Sequence, residues 1–326
     1  MRAIVIREPG GPEVLELREV ATPVPSRGEV RVRVRATAVN RADLLQRIGA
    51  YPAPPGSPAD IPGLEIAGEV DAVGEGVLEL AAGDRVFGIV GGGGYAEQVV
   101  VHARALARMP AAMSFTDAGA VPEAFVTAWD AMIVQARLGA GETVLVHAAG
   151  SGVGTAAVQI AKAVGARSIG TARTPGKLAR ARELGLSDAI NAAGGAFADE
   201  VKALTDGRGA DVILELVGGA YVGQDLACLA TGGRIVVVGL MAGIKAELDL
   251  ALLMKKRGEL RGSTLRARPL EEKILAARAL ERQIAPLFAR GALRPVIDRV
   301  LPLAQAAEAH RIVQSNETFG KVVLEV

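Results

Sequence analysis

Short apolar runs alternate with helix-like segments from Thr143 to about residue 239, and this alternation restricts the possible folds more than any other feature. Strands joined by helices form right-handed crossovers and a parallel sheet with helices on both faces. The segment therefore indicates an α/β, doubly wound sheet. The pattern predicts strands at 143–148, 167–171, 188–191, 211–217 and 234–239, and helices at 154–164, 175–184, 197–204 and 221–229.

A glycine-rich turn follows the first of these strands. Such a turn brings backbone N–H groups and a helix N-terminus to a pyrophosphate. Counting back from Gly154, the first two positions of the standard G-x-G-x-x-G pattern hold Ala149 and Ser151, so the match is imperfect. The strand-to-helix context still favours a dinucleotide-binding Rossmann domain over a ligand-free turn. The predicted cofactor-binding residues are Gly150, Ser151, Gly152, Val153 and Gly154.

The end of the second predicted strand indicates which dinucleotide binds. NAD sites usually place an acidic residue there to hold the ribose hydroxyls. Residues 171–177 contain no acid, but they contain Arg173 and Lys177. These cations would attract a 2′-phosphate, and a cation at the start of a helix is unfavourable unless an anion compensates it. We therefore predict NADPH as the cofactor, with Arg173 and Lys177 on its 2′-phosphate.

The regions on either side of this segment have a different pattern. Residues 31–35 alternate strictly between arginine and valine, and residues 69–73 and 84–88 indicate further strands. After a predicted helix at 270–288, strand-like pieces such as 321–324 resemble the first region again. We therefore predict a β-rich domain from 1–121, the nucleotide-binding domain from 122–265, and a return to the first domain from 266–326.

Composition excludes several classes of protein. The 37 Lys and Arg residues balance 36 Asp and Glu residues, and aromatic residues make up only 3%, so nucleic acid is not an expected partner. No apolar stretch approaches the roughly 20 residues of a membrane helix, and the N-terminus lacks a signal-peptide pattern. A single cysteine permits no disulfide framework within the chain. We expect a cytoplasmic protein without membrane partners.

Several ordered motifs together resemble the medium-chain dehydrogenase/reductase superfamily. Within that superfamily they are similar to the zinc-free quinone oxidoreductase branch, which includes zeta-crystallin. The resemblance covers essentially the whole chain. The segments that resemble the family are Val39-Asn40-Arg41-Ala42-Asp43, Gly49-Ala50-Tyr51-Pro52, 62–68, 81–86, 149–154, Gly239-Leu240-Met241 and 320–324.

The resemblance implies a GroES-like β-rich barrel domain beside the Rossmann domain, with the active site in the cleft between them. It also implies a homodimer formed through the Rossmann sheets, for which residues 259–264 are the candidate edge strand. Asn40 and Tyr51 are the implied catalytic residues. The further residues implied at the cofactor are Thr127, Gly239, Leu240, Met241, Leu265 and Arg266, with Asn191 where relatives often have a tyrosine at the 2′-phosphate.

Two positions bear on zinc. The zinc-dependent alcohol dehydrogenases of the superfamily have Cys where this chain has Asn40, and His where it has Leu64. Asparagine is a poor zinc ligand and leucine is none. Without a Lewis acid an alkoxide is hard to stabilise, so alcohol oxidation is disfavoured. We predict no metal, and we expect Glu65 to bond to Asn40 or Arg41 and Asp43 to anchor the helix that follows it.

These observations predict an NADPH-dependent quinone oxidoreductase with direct hydride transfer to a small-molecule quinone or conjugated carbonyl. An NADPH-dependent double-bond reductase of enals, enones or enoyl thioesters would share every cofactor feature. An NADPH-binding protein without turnover, crystallin-like or RNA-binding, is the third alternative. No histidine stands at a motif position, so His102 and His147 are predicted to be structural and His310 to lie on a surface helix.

Overall fold

The computed structural model describes residues 1–326, which form two compact units. The first unit contains Met1–Val126 and Leu265–Val326, and the second contains Thr127–Thr264. The chain therefore leaves the first unit, builds the second and returns. The boundaries predicted from the sequence, at 121/122 and 265/266, fall close to these crossings, and the roles assigned to the two domains stay predictions.

The first part of the chain is rich in strands. Its strands are β1 (Arg2–Ile6), β2 (Leu15–Glu19), β3 (Glu29–Val39), β4 (Glu65–Val73), β5 (Arg85–Ile89), β6 (Gln98–His102) and β7 (Ala107–Arg108). Three helices lie among and after them: α1 (Arg41–Arg47), α2 (Phe115–Gly119) and α3 (Pro122–Trp129). The last of these helices spans the boundary between the two units.

Strands and helices alternate in the second unit. The strands are β8 (Thr143–Val146), β9 (Arg167–Ala172), β10 (Asp188–Asn191), β11 (Ala210–Glu215), β12 (Leu229–Val237) and β13 (Glu259–Gly262). The helices are α4 (Gly152–Ala163), α5 (Pro175–Glu183), α6 (Ala198–Leu204), α7 (Tyr221–Cys228) and α8 (Leu250–Lys256).

The returning segment adds α9 (Leu270–Ala279), α10 (Ala285–Ala289), β14 (Ile297–Pro302), α11 (Ala306–Gln314) and β15 (Lys321–Glu325). The predicted helix at 270–288 is present, with a wider π-type turn at Leu280–Ile284 between α9 and α10. Pro286 has no N–H to donate to the preceding turn, which favours this change of pitch. None of the helices combines the length and the apolar character that crossing a membrane requires.

The sheet of the first unit has the strand order β14-β15-β3-β4-β5-β7, with β6 also paired to β3. The arginine–valine alternation in β3 separates its faces, because Val30, Val32 and Val34 are buried while the arginines between them are more exposed. The returning strand β15 pairs antiparallel with β3, and Val322 lies opposite Val39. The predicted return to the first region is confirmed.

The second unit contains a six-stranded parallel sheet in the order β10-β9-β8-β11-β12-β13. In chain order this is 3-2-1-4-5-6, the arrangement of the Rossmann fold. The predicted α/β fold class with a second, β-rich GroES-like domain is confirmed. Because the strand order reverses between β8 and β11, the carboxyl ends of these strands border the crevice where such sheets bind ligands.

Several predicted ends need correction. Strand β8 stops at Val146, because Ala148 adopts the left-handed region with φ 46°. Helix α4 begins at Gly152 rather than residue 154, since the Ser151 hydroxyl caps it by accepting from the N–H of Gly154. Strand β11 stops at Glu215 rather than 217, because the carboxylate of Glu215 accepts the next free N–H groups, those of Val217 and Gly218.

The close approach of α4 to β8 gives a stability prediction. A Cβ at Gly154 would lie 2.2 Å from the carbonyl oxygen of Ala148, so the helix must move to admit it. We expect Gly154→Ala to lower the free energy of unfolding by about 1–3 kcal/mol, the usual range for overpacking. Chemical denaturation measures this value.

Gly176→Ala is the matched control, because a Cβ there meets nothing within 4 Å and the position lies in the first turn of α5. Its free energy of unfolding should stay the same or rise slightly. Equal unfolding free energies for the wild type and Gly154→Ala would contradict the proposed close packing.

Candidate functional site

The glycine turn forms an anion-binding geometry at the start of α4. The Ser151 hydroxyl accepts from the N–H of Gly154 at 3.0 Å, which leaves the N–H groups of Gly152 and Val153 without partners inside the helix. Gly150 is buried, and Ser151, Gly152 and Val153 are half-buried. Free N–H groups and the positive end of the helix dipole together favour a phosphate. The five predicted residues therefore lie together in one turn.

The predicted 2′-phosphate residues gather at the neighbouring strand ends. Strand β9 ends at Ala172, directly opposite Asn191, the last residue of β10. Arg173 follows as an exposed residue, and Lys177 lies half-buried in the first turn of α5. The Asn191 side chain accepts from the N–H of Ala193 at 3.2 Å, so its amide nitrogen is turned to other acceptors. This arrangement places positive charge and donors where an NAD site would hold an acid.

The predicted nicotinamide loop is tied to the end of β11. The N–H of Gly239 donates to the carbonyl of Glu215 at 3.2 Å, and a Cβ at Gly239 would lie 2.4 Å from the carbonyl oxygen of Leu216. Leu240 and Met241 follow with about half of each side chain exposed, at 50% and 52%. Only glycine permits this contact, so the loop stays close to the sheet while the next two residues extend from it.

Asn40 belongs to a hydrogen-bonded cluster in the first unit. Its backbone N–H donates to the Asp43 carboxylate at 2.7 Å, which begins α1. Its amide nitrogen donates to Glu65 Oε1 at 2.8 Å, and its amide oxygen accepts from Lys321 Nζ at 2.5 Å. The expectations that Glu65 bonds to Asn40 and that Asp43 anchors the helix are confirmed. Arg41 bonds instead to Asn316.

Sequence analysis did not identify Lys321 as a site residue. Its ammonium lies 2.7 Å from Glu65 Oε1, and both side chains are buried. The cluster thus contains a fixed positive charge between Asn40 and Glu65. Leu64, the other position of the zinc ligand set in the zinc-dependent relatives, is 1% exposed. A second cation beside this ammonium would be repelled, and Leu64 supplies no ligand atom.

Glu123 and Thr127 lie one turn apart on α3. The backbone N–H of Glu123 donates to Glu65 Oε2 at 2.9 Å, so the start of the helix is attached to the Asn40 cluster. Loss of solvation and the nearby Glu65 charge raise the pKa of the Glu123 carboxyl to about 8. Thr127 is almost completely buried. Glu123 was not predicted as a site residue. Its position directly after Pro122 is the sequence feature from which it could have been identified.

Tyr51 is held by Arg266. The guanidinium lies over the Tyr51 ring, 5.1 Å from its centroid, and donates to the Tyr51 carbonyl at 3.1 Å. It also donates to the carbonyl of Gly91 at 2.8 Å and to Gln46 Oε1 at 2.5 Å. Arg266 and its neighbour Leu265 are buried. The predicted diphosphate contact of Arg266 is untested, and these bonds show the guanidinium joining three segments of the first unit.

The structure tests the predictions made for His310 and His102. His310 is fully buried on α11, so its prediction as a surface residue is wrong. Its ring nitrogens lie 3.3 Å from the Tyr95 hydroxyl and 3.2 Å from the Arg47 guanidinium. Burial and the Arg47 charge lower the pKa of His310 to about 3. His102 accepts from the N–H of Arg104 at 3.2 Å, which fits a structural role.

Comparison with known proteins gives the same picture over the whole chain. Residues 26–111 match the family model described as an alcohol dehydrogenase GroES-like domain, and residues 152–281 match the model described as a zinc-binding dehydrogenase. A quinone oxidoreductase from Lama guanicoe is 37% identical over 327 residues, which cover 99% of this chain and 97% of that protein.

Solved structures agree with this assignment. A structure of an NAD-dependent alcohol dehydrogenase is 37% identical with a TM-score of 0.87, and each chain is covered completely. The Escherichia coli quinone oxidoreductase complexed with NADPH is 30% identical with a TM-score of 0.89, again over 100% of both chains. The chain is therefore an oxidoreductase of the medium-chain dehydrogenase/reductase superfamily and belongs to its zeta-crystallin-like quinone oxidoreductase branch.

Proposed function

We propose that this protein is a zinc-independent, NADPH-dependent oxidoreductase that transfers a hydride to a quinone or a similar conjugated carbonyl compound. The observation that carries the proposal is the Lys321 ammonium fixed between Asn40 and Glu65. A permanent side-chain cation occupies the surroundings in which zinc-dependent relatives place cysteine and histidine ligands. The reaction is therefore assigned to acceptors that need no Lewis acid.

The residues present fit NADPH. The Gly150–Gly154 turn supplies backbone N–H groups for the diphosphate, and the missing Cβ of Gly154 permits the close approach. Arg173, Lys177 and Asn191 would hold the 2′-phosphate, because ionic hydrogen bonds to phosphate are strong. Two solved relatives are NADPH complexes, one of them the Escherichia coli enzyme. Gly239, Leu240 and Met241 would contact the nicotinamide.

When bound, NADPH supplies the hydride, and the protein supplies binding and orientation. On the family resemblance, Asn40, Tyr51 and Thr127 are the residues that would contact the nicotinamide. Arg266 contacts the backbone and the ring of Tyr51 and so restrains the orientation of that ring. In the proposed mechanism, the Tyr51 hydroxyl would donate to a substrate oxygen. Hydride addition to a quinone places the new charge on a delocalised oxygen, and a proton from water completes the reduction.

One solved relative is an NAD-dependent alcohol dehydrogenase, so alcohol oxidation is the reaction to weigh against the proposal. An alcohol must lose a proton to an alkoxide before hydride leaves, and a bound zinc ion is the usual means of stabilising that alkoxide. Asn40 donates one amide hydrogen to Glu65 and accepts from Lys321, and neither it nor Leu64 is a residue type that would hold zinc for such an alkoxide. The site chemistry therefore favours reduction of quinones over oxidation of alcohols.

The proposed reaction can be tested by following the nicotinamide absorbance during steady-state oxidation of NADPH and NADH. The acceptors are a benzoquinone, a polycyclic quinone, an enone and an aliphatic ketone. We expect turnover with the quinones, preference for NADPH and no turnover with the ketone. Turnover of the enone alone would favour the double-bond reductase. NADPH binding without any turnover would favour the non-catalytic alternative.

Lys177→Ala tests the coenzyme assignment. Removing one charge-assisted hydrogen bond to the 2′-phosphate costs about 1.5–3 kcal/mol, so KM for NADPH should rise by about 10- to 100-fold. KM for NADH should change little, because NADH lacks this phosphate. Arg182→Ala is the matched control, since Arg182 is an exposed cation in the last turn of the same helix. An equal effect on both coenzymes would contradict the assignment.

A further inference from the structure

A buried polar cluster lies beneath the strand ends of the second unit. His147 Nε2 lies 2.7 Å from Asp225 Oδ1, and His147 Nδ1 lies 2.8 Å from the Thr171 hydroxyl. Glu215 Oε2 lies 3.8 Å from His147 Nε2. His147, Glu215 and Asp225 are completely buried, and the rings of Phe197 and Tyr221 pack edge-on against the imidazole. These three titratable groups are therefore shielded from bulk solvent.

The cluster lies beside three of the loops to which we assign a part of the cofactor. His147 directly precedes the glycine turn, and Thr171 lies two residues before Arg173. Glu215 ends β11, and its Oε1 accepts from the N–H groups of Val217 and Gly218. The cluster thus links the strand ends from which the predicted diphosphate, 2′-phosphate and nicotinamide loops extend.

The connection from Glu215 to the nicotinamide loop is made by backbone hydrogen bonds. The carbonyl of Glu215 accepts from the N–H of Val238 at 2.8 Å. The N–H of Ala242 donates to the carbonyl of Val217 at 2.7 Å, and the N–H of Gly219 donates to the carbonyl of Gly243 at 3.0 Å. A displacement of the Glu215 carboxyl would therefore move residues 238–243 as well.

Two atoms in the cluster have no hydrogen-bond partner. Glu215 Oε2 and Asp225 Oδ2 are buried, and no donor reaches either of them. Two ionised carboxyl groups can only accept hydrogen bonds, so they would repel each other in this position. The two carboxyl groups lie within hydrogen-bonding reach of each other, so one proton held between them would turn the pair into a donor and an acceptor and would satisfy these buried oxygens.

We propose that Glu215 and Asp225 share one proton and that this pair acts as a set of positioning residues for NADPH. The shared proton keeps the Glu215 carboxyl in place, so its other oxygen holds the loop at Val217 and Gly218. Asp225 in turn orients His147, which lies beside the glycine turn. The positioning role depends on the proposed function, whereas the shared proton does not.

The electrostatics of the pair agree with this arrangement. Burial raises the pKa of Glu215 to about 8 and that of Asp225 to about 7, and it lowers the pKa of His147 to about 4. His147 is therefore neutral at pH 7 and donates from one nitrogen only. The other titratable groups facing the pair are Tyr221 and Cys228 on α7, and burial raises the pKa of both.

The pH dependence follows from the raised pKa of Glu215. The folded protein binds a proton that the unfolded chain, with an ordinary Glu pKa of 4.5, has already lost. The lowered pKa of His147 makes stability rise between about pH 4 and 6.5 and offsets the Glu215 effect there. The net fall in stability is therefore expected between about pH 6.5 and 8, and the full Glu215 penalty is present above about 8. In that upper range the two carboxylates repel each other and loosen the loop, so NADPH affinity should fall as well.

Glu215→Gln is the decisive variant. A glutamine oxygen can accept from Val217 and Gly218, while the glutamine nitrogen donates permanently to Asp225. We expect the Kd for NADPH, measured by nicotinamide fluorescence, to rise about tenfold in the wild type between about pH 7 and pH 9.5. Glu215→Gln should bind like the wild type at pH 7 and show no such rise. Glu215→Leu should bind weakly at every pH, because it loses the loop contacts.

Glu183→Gln is the control, since Glu183 is exposed at the end of α5 and should leave the wild-type pH profile unchanged. A rise in Kd that persists in Glu215→Gln would overturn the positioning role. Glu215→Leu also separates the proposal from general destabilisation, because its thermal unfolding temperature shows whether the variant is folded at the temperature of the binding measurement.

Infrared spectroscopy of the cofactor-free protein tests the shared proton separately. We expect the difference spectrum between the wild type and Glu215→Gln to contain the band of a protonated carboxylic acid at pH 7 that disappears above about pH 8; the band of the Glu123 carboxyl, whose pKa is also raised to about 8, is common to both proteins and cancels. Absence of this band from the difference spectrum would overturn the shared proton, as would a metal ion found by elemental analysis and held by the same three residues. A band together with no NADPH binding would support the shared proton while refuting both the positioning role and the proposed coenzyme.

Discussion

The Lys321 ion pair is the interaction on which the first unit depends most. Lys321 begins the last strand of the chain, whereas Asn40 and Glu65 lie at the ends of β3 and β4. The ammonium is buried with Glu65 and bonds to both side chains, so it joins the returning segment to the predicted catalytic residue. A buried charge is tolerated only when its partner is present. The contact of Lys321 with Asn40 and Glu65 therefore attaches the returning segment to the first unit and also forms part of the proposed site.

The second unit combines close backbone packing with a buried polar cluster. Gly154 and Gly239 let α4 and the loop after β12 approach neighbouring carbonyl groups more closely than any side chain allows. His147, Glu215 and Asp225 lie beneath the same loops and contact them from inside. Packing and hydrogen bonds thus restrain the proposed cofactor site from two directions, and neither requires a ligand to be present.

Local patterns carried most of the sequence prediction. The apolar runs and helical spacing around residues 143–239 identified the parallel sheet and its helices, and the glycine turn identified the start of α4. Strand ends were less accurate, because Glu215 ends β11 through its own side chain. Contacts between distant residues were invisible, as for Lys321 with Glu65, or for the burial of His310 beside Tyr95. Such contacts depend on the tertiary fold, which residue spacing does not encode.

Replacement of a metal by a lysine cation is the central claim about the reaction. It is tested most directly by measuring quinone reduction with NADPH after exhaustive dialysis against a chelator, before and after adding back one equivalent of zinc. The account predicts full activity in the metal-free protein and no gain from zinc. Activity that disappears on chelation and returns with zinc would contradict it.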